Sequence, residues 1–217
     1  MLFRSKDLAP ISIAFSGPNV LLVNVALETN SVQQLVAMAK AKPGALAFAS
    51  AGNGSMSHLN GELLKAQAGI DMLHVPYKGV GPALQDVIGG YVDMMFIGAS
   101  PSIAHVKAGK LRAIAVASPQ RSSAFPDTPT VVEMGYPQFE ISSNYGIIAP
   151  AAVPRVIIGR INEAVSRALT HADVKKAYAS FGVDPWGDSA ERYTAWLAED
   201  VSRWSAVAKA IHFQPGL

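Results

Sequence analysis

Between residues 31 and 117 the chain alternates short apolar runs, turns rich in Gly and small polar residues, and amphipathic stretches. No other feature constrains the fold as much. Short apolar runs bounded by Gly or Pro read as buried strands, and apolar residues spaced three and four apart read as helices. Strand, turn and helix in repeated succession argue for a mainly parallel sheet covered by helices, an α/β architecture.

The elements follow from that pattern. Asn30 or Ser31 caps a helix whose apolar face is Val32, Leu35, Val36 and Ala39, and Pro43-Gly44 stops it. Ala45 to Ser50 is a strand. His58 to Ala68 is a helix with Leu59, Leu63, Leu64 and Ala68 facing inward, ended by Gly69. Met72 to Val75 is the next buried strand. Pro82 opens a helix over Ala83 to Ile88, which Gly89-Gly90 ends. Val92 to Phe96 and Leu111 to Ala117 are strands, with a helix from the Gly98–Pro101 turn through Val106 between them. Upstream, Ile11 to Ala14 and Val20 to Val23 read as two short strands around the turn Ser16-Gly17-Pro18-Asn19. Downstream, residues 118–130 read as a surface connection and Phe139 to Ile148 as an extended segment. Val156 to Leu169, Val174 to Phe181 and Ala190 to Ile211 read as helices, the last capped by Asp188 or Ser189. Trp196 and Trp204 share one face of it and read as core. An early strand pair and a late helical region around the central units imply two lobes. Residues 1–25 and 118–217 form the first lobe, and residues 26–117 the second.

Composition excludes several functions. Half of the 217 residues are hydrophobic and 16% are charged, which suits a buried core and no long disordered tract. A net charge of +2 without a Lys/Arg run argues against a nucleic-acid partner. The absence of cysteine removes disulfides, thiol nucleophiles and Cys-based metal sites. No apolar run reaches the roughly 20 residues of a membrane-spanning helix. The segment Met1 to Asp7 is charged and lacks a signal peptide's apolar stretch, so the sequence reads as cytosolic, or as a mature or truncated form.

Two turns carry the functional signal. Gly52, Asn53, Gly54, Ser55, Met56 and Ser57 follow one strand, and Tyr77, Lys78, Gly79 and Val80 follow the next. Each opens a helix, where unpaired N–H groups and the helix dipole favour an anion such as a carboxylate. Tyr77 offers a hydroxyl and Lys78 a charge, although backbone donors are the preferred contacts. Gly98, Ala99 and Ser100 form a third turn of the same lobe. A ligand belongs outside the carboxyl ends of the strands, where these turns converge. The competing reading is an ordinary strand-to-helix turn capped by Ser55 or Ser57, with Lys78 solvated and Tyr77 packed at the lobe edge.

Along these same residues the chain resembles the substrate-binding proteins of tripartite tricarboxylate transporters, the Bug family. The resemblance rests on Ser31-Val32 with Leu35, Ala39 to Gly44, Phe48 to Ser55, and Ser57-His58-Leu59. It continues through His74-Val75-Pro76-Tyr77-Lys78-Gly79, Gly81-Pro82-Ala83-Leu84, Gly109 to Ala113, Pro126 to Val131, and Tyr145-Gly146 with Ala149-Pro150. It covers about Leu8 to Lys209. It implies a periplasmic-binding-protein-like fold of type II, with two α/β lobes and a cleft that closes on a small di-, tricarboxylic or aromatic acid. It further implies a periplasmic location, delivery to the membrane components of a transporter, no cofactor, and no chemistry on the ligand. Some relatives carry Asp at the position of Ile97, where it pairs with a ligand amine, so Ile97 favours an acid without an amine. The family's first lobe begins with a strand and a Pro-Gly-Gly loop that have no counterpart here. The resemblance therefore implies a first lobe incomplete at its N-terminus: either the chain is a fragment, or association into a homo-oligomer or rearrangement compensates for the loss.

Three other readings frame the tests. A truncated remnant would keep the second lobe and bind weakly or not at all. A hydrolase would use Ser55 or Ser57 as nucleophile and His58 or His74 as base, but no Gly-x-Ser-x-Gly elbow is present. A metal site built from His58, His74 and Asp71 or Asp93 fits no metal-ligand spacing. His58 and His74 read as structural residues beside the two turns. Asn144 and Tyr145 read as lining the cleft from the first lobe.

Overall fold

A computed structural model describes residues 7–137, 139, 142–211 and 213. They form two compact units. One takes the described residues up to Gly17 together with Asn144–Ala206, and the other takes Pro18–Ser143 and the residues from Val207.

The larger unit is built on a five-stranded sheet. Its strands are the second half of β1 (Leu8–Asn24), β2 (Ala47–Ser50), β3 (Leu73–Pro76), β4 (Met94–Gly98) and β5 (Leu111–Ala117). The order is β3-β2-β4-β1-β5. β2 runs parallel to β3 and β4, while β1 is antiparallel to both β4 and β5. Four strands thus share one direction and β1 opposes them. Val20, Leu21, Leu22 and Val23 are fully buried, as a continuous apolar run in a central strand covered on both faces must be.

Helices α1 (Val32–Ala41), α2 (Met56–Ala68), α3 (Val80–Gly89) and α4 (Ala99–Lys107) cover this sheet. Ser31 caps α1 by accepting the Gln34 N–H, and the expected face Val32, Leu35, Val36 and Ala39 is the buried one. Gly69 ends α2 in the left-handed conformation, φ 60°, which glycine adopts without Cβ strain. The inward face of α2 differs from the expected one at its start. Leu59 is half-buried, whereas Ser57, His58, Asn60 and Gly61 are buried. Gly61 packs against Phe48, whose ring leaves no room for a side chain: a Cβ on Gly61 would lie 2.2 Å from Cε2.

β1 also pairs with β6 (Ser142–Pro150), most of which lies in the smaller unit, and at Phe15 and Ser16 it pairs antiparallel with the short β7 (Asp184–Pro185). Helices α5 (Arg155–Thr170), α6 (Ala172–Ser180) and most of α7 (Ala190–Ala210) belong to the smaller unit. Asn162 ties α5 to the chain by donating from Nδ2 to the carbonyls of Ile11 and Asp188, each at 2.7 Å. Phe15 stacks on Tyr145 with ring centroids 4.5 Å apart, and Tyr178 meets it edge-on. Trp196 packs on Trp186 and Tyr193. Trp196 and Trp204 are both half-buried rather than core.

Several sequence expectations change. Residues 8–24 form one strand, not two around a turn. Gly17 is not in the left-handed region, and a Cβ there would meet Val183 Cγ1 at 3.0 Å. Pairing with β7 ends at Ser16 and pairing with β4 and β5 begins at Asn19, so Pro18 interrupts none of these ladders. The turn-like residues mark where the strand passes from one unit to the other. The unit boundaries accordingly differ from 25/26 and 117/118. Residues 18–24 pair with β4 and β5, and the 118–130 connection returns to the same sheet, where Thr130 bridges Val116 and Phe125 enters the core. β3 is an edge strand, with Leu73 exposed, not a buried one. Residues 140 and 141 of the expected extended segment 139–148 lie outside the described residues, as do Met1–Lys6 of the charged N-terminal segment.

Candidate carboxylate site

The strand registers place three turns at one edge of the larger unit's sheet. Ser50 lies opposite Pro76, and Ala49 opposite Met95, so β2, β3 and β4 deliver their carboxyl ends together. Each then enters a helix, α2, α3 or α4. Their amino ends therefore gather at that edge, where the peptide dipoles give a positive end.

The first turn is held by its own side chains. Ser55 is the N-cap of α2, with its Oγ accepting the His58 N–H and donating to the Gly52 carbonyl at 2.7 Å. Ser57 Oγ accepts the Ala51 N–H at 2.9 Å. Ser50 Oγ accepts the Gly52 N–H at 3.2 Å, and His58 Nδ1 accepts the Gly54 N–H at 3.1 Å. The Ser55 N–H bonds to the Gly52 carbonyl. Among the described residues, the amides of Asn53, Met56 and Ser57 have no partner. Gly52 and Gly54 have φ of 126° and 76°, which side chains other than glycine's rarely tolerate. Asn53 and Gly54 are exposed, and Gly52, Ser55 and Met56 are half-buried.

The second turn is tied to the first. The Tyr77 N–H donates to the Ser50 carbonyl at 3.0 Å, and a Cβ on Gly52 would lie 3.3 Å from the Tyr77 carbonyl oxygen. Gly79 is the N-cap of α3 without a side-chain cap. The amides of Lys78, Gly79, Val80 and Gly81 have no partner among the described residues. The Tyr77 hydroxyl is not the free donor expected from the sequence. It donates to Asp86 Oδ2 at 2.6 Å, and burial together with this bond pushes its pKa up to about 12. Lys78 is exposed.

The third turn has Gly98 at the N-cap of α4, again without a side-chain cap. Ala99 is buried, Ser100 is exposed, and their amides have no partner among the described residues. Ile97 is buried in the apolar core. β4 brings this turn to the shared edge, but no hydrogen bond joins it to the other two among the described residues.

Behind the first two turns stands a group whose arrangement the sequence does not announce. His58 and His74 stack with ring centroids 3.8 Å apart and an interplanar angle of 9°, and Phe48 stacks on His74 at 4.9 Å. His74 Nε2 lies 2.6 Å from Ser50 Oγ. Burial lowers the pKa of His58, only partly opposed by Glu62. Burial, then His58 and Lys65, push His74 down to about 4. Phe213 meets His58 edge-on at 5.6 Å and leaves a Cβ on Gly54 only 3.3 Å from its ring. Nothing in the local sequence signals Phe213, which is far away in the chain. Ser50 is foreshadowed only by being the last strand residue before a Gly-rich turn.

The pairing of Ser55 or Ser57 with His58 or His74 expected of a hydrolase does not form among the described residues. Ser55 and Ser57 bond to each other and to backbone, His58 Nδ1 is occupied by Gly54, and the serine paired with a histidine is the fully buried Ser50. No cluster of three His, Cys, Asp or Glu fit for a metal occurs among the described residues, and Asp93 instead accepts the Ala47 N–H. No helix among them is long and apolar enough to cross a membrane. Asn144 and Tyr145 lie in the smaller unit, where Asn144 Oδ1 is buried without a partner among the described residues and Tyr145 is half-exposed.

Known proteins share both sequence and fold. Protein BugT of Bordetella pertussis is 35% identical over 204 residues, which is 94% of this chain and 63% of BugT. The chain thus spans less than two thirds of that relative's length. Rpa4515 of R. palustris, solved with adipate, superposes with a TM-score of 0.92 at 30% identity, covering 97% of this chain and 70% of that one. MatC of Rhodopseudomonas palustris, solved with bound malate, gives 0.87 at 29% identity, covering 95% and 71%. The fold is therefore α/β, of the periplasmic-binding-protein kind. Residues 1–213 match the tripartite tricarboxylate transporter family receptor, TctC, and the chain belongs to that family.

Proposed function

We propose that the chain is a solute receptor that captures a small carboxylic acid on the three turns and does no chemistry on it. One observation carries the reading: the helix starts after β2, β3 and β4 leave their amides unpaired at one sheet edge, with no acidic side chain within the turns. Carboxylate oxygens accept from the amides of Asn53, Met56 and Ser57 and from those of Lys78, Gly79 and Val80, with Ala99 and Ser100 at the far side. Charge-assisted bonds of this kind are roughly twice as strong as neutral ones. The buried Ile97 offers no charge to a ligand amine, which favours a plain di- or tricarboxylate or an aromatic acid over an amino acid. Adipate and malate, seen in the two Rhodopseudomonas proteins, are the first ligands to try. Delivery to the membrane components of a tripartite transporter, in the periplasm, completes the proposal.

Thermal shift with adipate, malate, benzoate and an amino acid tests it. Ligand at about a hundredfold its Kd adds close to 3 kcal/mol, a shift of a few degrees for a chain of this size. The expected result is a rise with at least one acid and none with the amino acid. No rise with any acid sinks the reading for this chain and favours a remnant that has lost binding.

A further inference from the structure

Each of the two stacked histidines holds a different glycine of the first turn. His58 Nδ1 accepts the Gly54 N–H, which makes Nε2 the protonated nitrogen of the neutral ring. His74 Nε2 bonds Ser50 Oγ, and the same oxygen accepts the Gly52 N–H. Two amides are thereby turned inward, and those of Asn53, Met56 and Ser57 are left for a ligand. We propose that the His58–His74 stack positions the carboxylate-binding turn, and that protonating His58 in acid frees its hold on Gly54 and weakens anion binding. The proposal rests on the carboxylate reading above and names its regulation.

The chemistry fixes the sign. A proton on His58 Nδ1 abolishes the acceptor for Gly54 and leaves two N–H groups facing each other. A proton on either ring also puts charge into a stack with centroids 3.8 Å apart. The charged groups around the pair, among the described residues, are few. From α2 come Glu62, whose Oε1 is 4.0 Å from His58 Nε2, and Lys65, 3.0 Å from Glu62 and 6.0 Å from the centre of the Phe48 ring. β2 contributes Phe48 and Ser50, β3 contributes only His74, and the C-terminal segment contributes Phe213. Glu62 is also bonded to Lys65, so it offsets only part of the charge of an imidazolium. Coulomb attraction alone would make a protonated pair bind anions more tightly. Loss of the pin makes it bind them more weakly, so the direction of the pH dependence separates the two effects.

The test measures adipate binding by calorimetry for wild type, His58→Asn and His58→Phe. Asn keeps an acceptor near the place of Nδ1 and does not titrate; Phe keeps a ring to stack and has no acceptor. Near pH 7, Asn is expected within a few-fold of wild type and Phe up to about tenfold weaker, the net worth of one hydrogen bond. Between about pH 7 and 5, wild type is expected to weaken severalfold relative to His58→Asn, a ratio in which adipate's own titration cancels. Identical pH dependence in wild type and His58→Asn overturns the proposal, and so does wild-type affinity in a folded His58→Phe. The second readout is the Gly54 amide in an NMR titration of the ligand-free protein. It is expected to follow the His58 ring in wild type and to ignore pH in His58→Asn; a wild-type Gly54 amide that ignores the His58 titration overturns the pin. This readout needs neither ligand nor the Phe variant. If wild type binds none of adipate, malate and benzoate near pH 7, the carboxylate reading fails while Gly54 still decides the pin; if another of these acids binds, it replaces adipate in the series.

Discussion

At the scale of single residues, Gly61 and Phe48 form one unit. Glycine inside a helix costs about 1 kcal/mol relative to alanine, so Gly61→Ala on a free helix would stabilise. In this chain the added Cβ would lie 2.2 Å from the Phe48 ring, which is itself stacked on His74. Overpacking costs of about 1–3 kcal/mol outweigh the propensity gain. Gly61→Ala is therefore expected to lower the urea midpoint, and an unchanged or raised midpoint would mean that the ring gives way freely. His74 makes the second residue-scale prediction. Its pKa in the fold is near 4, below the ordinary 6.5, so the unfolded chain binds the proton more readily. Stability falls as pH drops from about 6.5 towards 4 and levels off for this group below that. Because the ring is only half-buried, about 1 kcal/mol is a fair size for the loss after solvent screening. Urea midpoints of His74→Gln should show a shallower decline over that window than wild type. Parallel declines would assign the acid sensitivity elsewhere.

At the scale of elements, caps and periodicity were the legible part of the sequence. The face of α1 and its Ser31 cap follow from spacing alone, and Ser31→Ala is expected to cost about 1 kcal/mol, measured as a lowered urea midpoint. A midpoint within error of wild type would show that Asn30 or water takes over the cap. The α/β alternation over residues 31–117 likewise follows from spacing, because each element there buries a face of its own period. Strand direction was less legible. β1 precedes the unit and runs against it, and nothing in an apolar run states which way its neighbours point. Ser16–Asn19 has the composition of a turn without being one, because Gly and Pro also occur where a strand changes partners. At the turns of the candidate site, the sequence shows which residues are present but not which amides are spent. The inward bonds to His58 and Ser50 join β2, β3 and α2 across the fold, and the Tyr77–Asp86 bond depends on how α3 returns past its own strand.

At the scale of the whole molecule, the two units differ in how much they bury. The larger one holds the second half of β1 with β4 and β5, all with runs of fully buried side chains, whereas the first half of β1 gives the smaller one Ile11, Ser12 and Ile13. In the smaller one, α6 buries no residue, α7 buries Tyr193, and α5 buries Ile158 and Leu169. Tyr145, Ile147, Ile148, Val156 and Ile157 are among its exposed hydrophobics. Hydrophobic burial is the main term opposing chain entropy, so the smaller unit has less to hold it. Trp186, Trp196 and Trp204 are the chain's three tryptophans and all belong to the smaller unit, so tryptophan fluorescence reports on it alone. Urea unfolding followed by fluorescence is expected to have a lower midpoint than the same unfolding followed by amide NMR signals of Val20 to Val23. Non-coincident probes are the sign of more than one cooperative step. Coincident curves would mean that the long β1 strand, which supplies both units, couples them into a single transition.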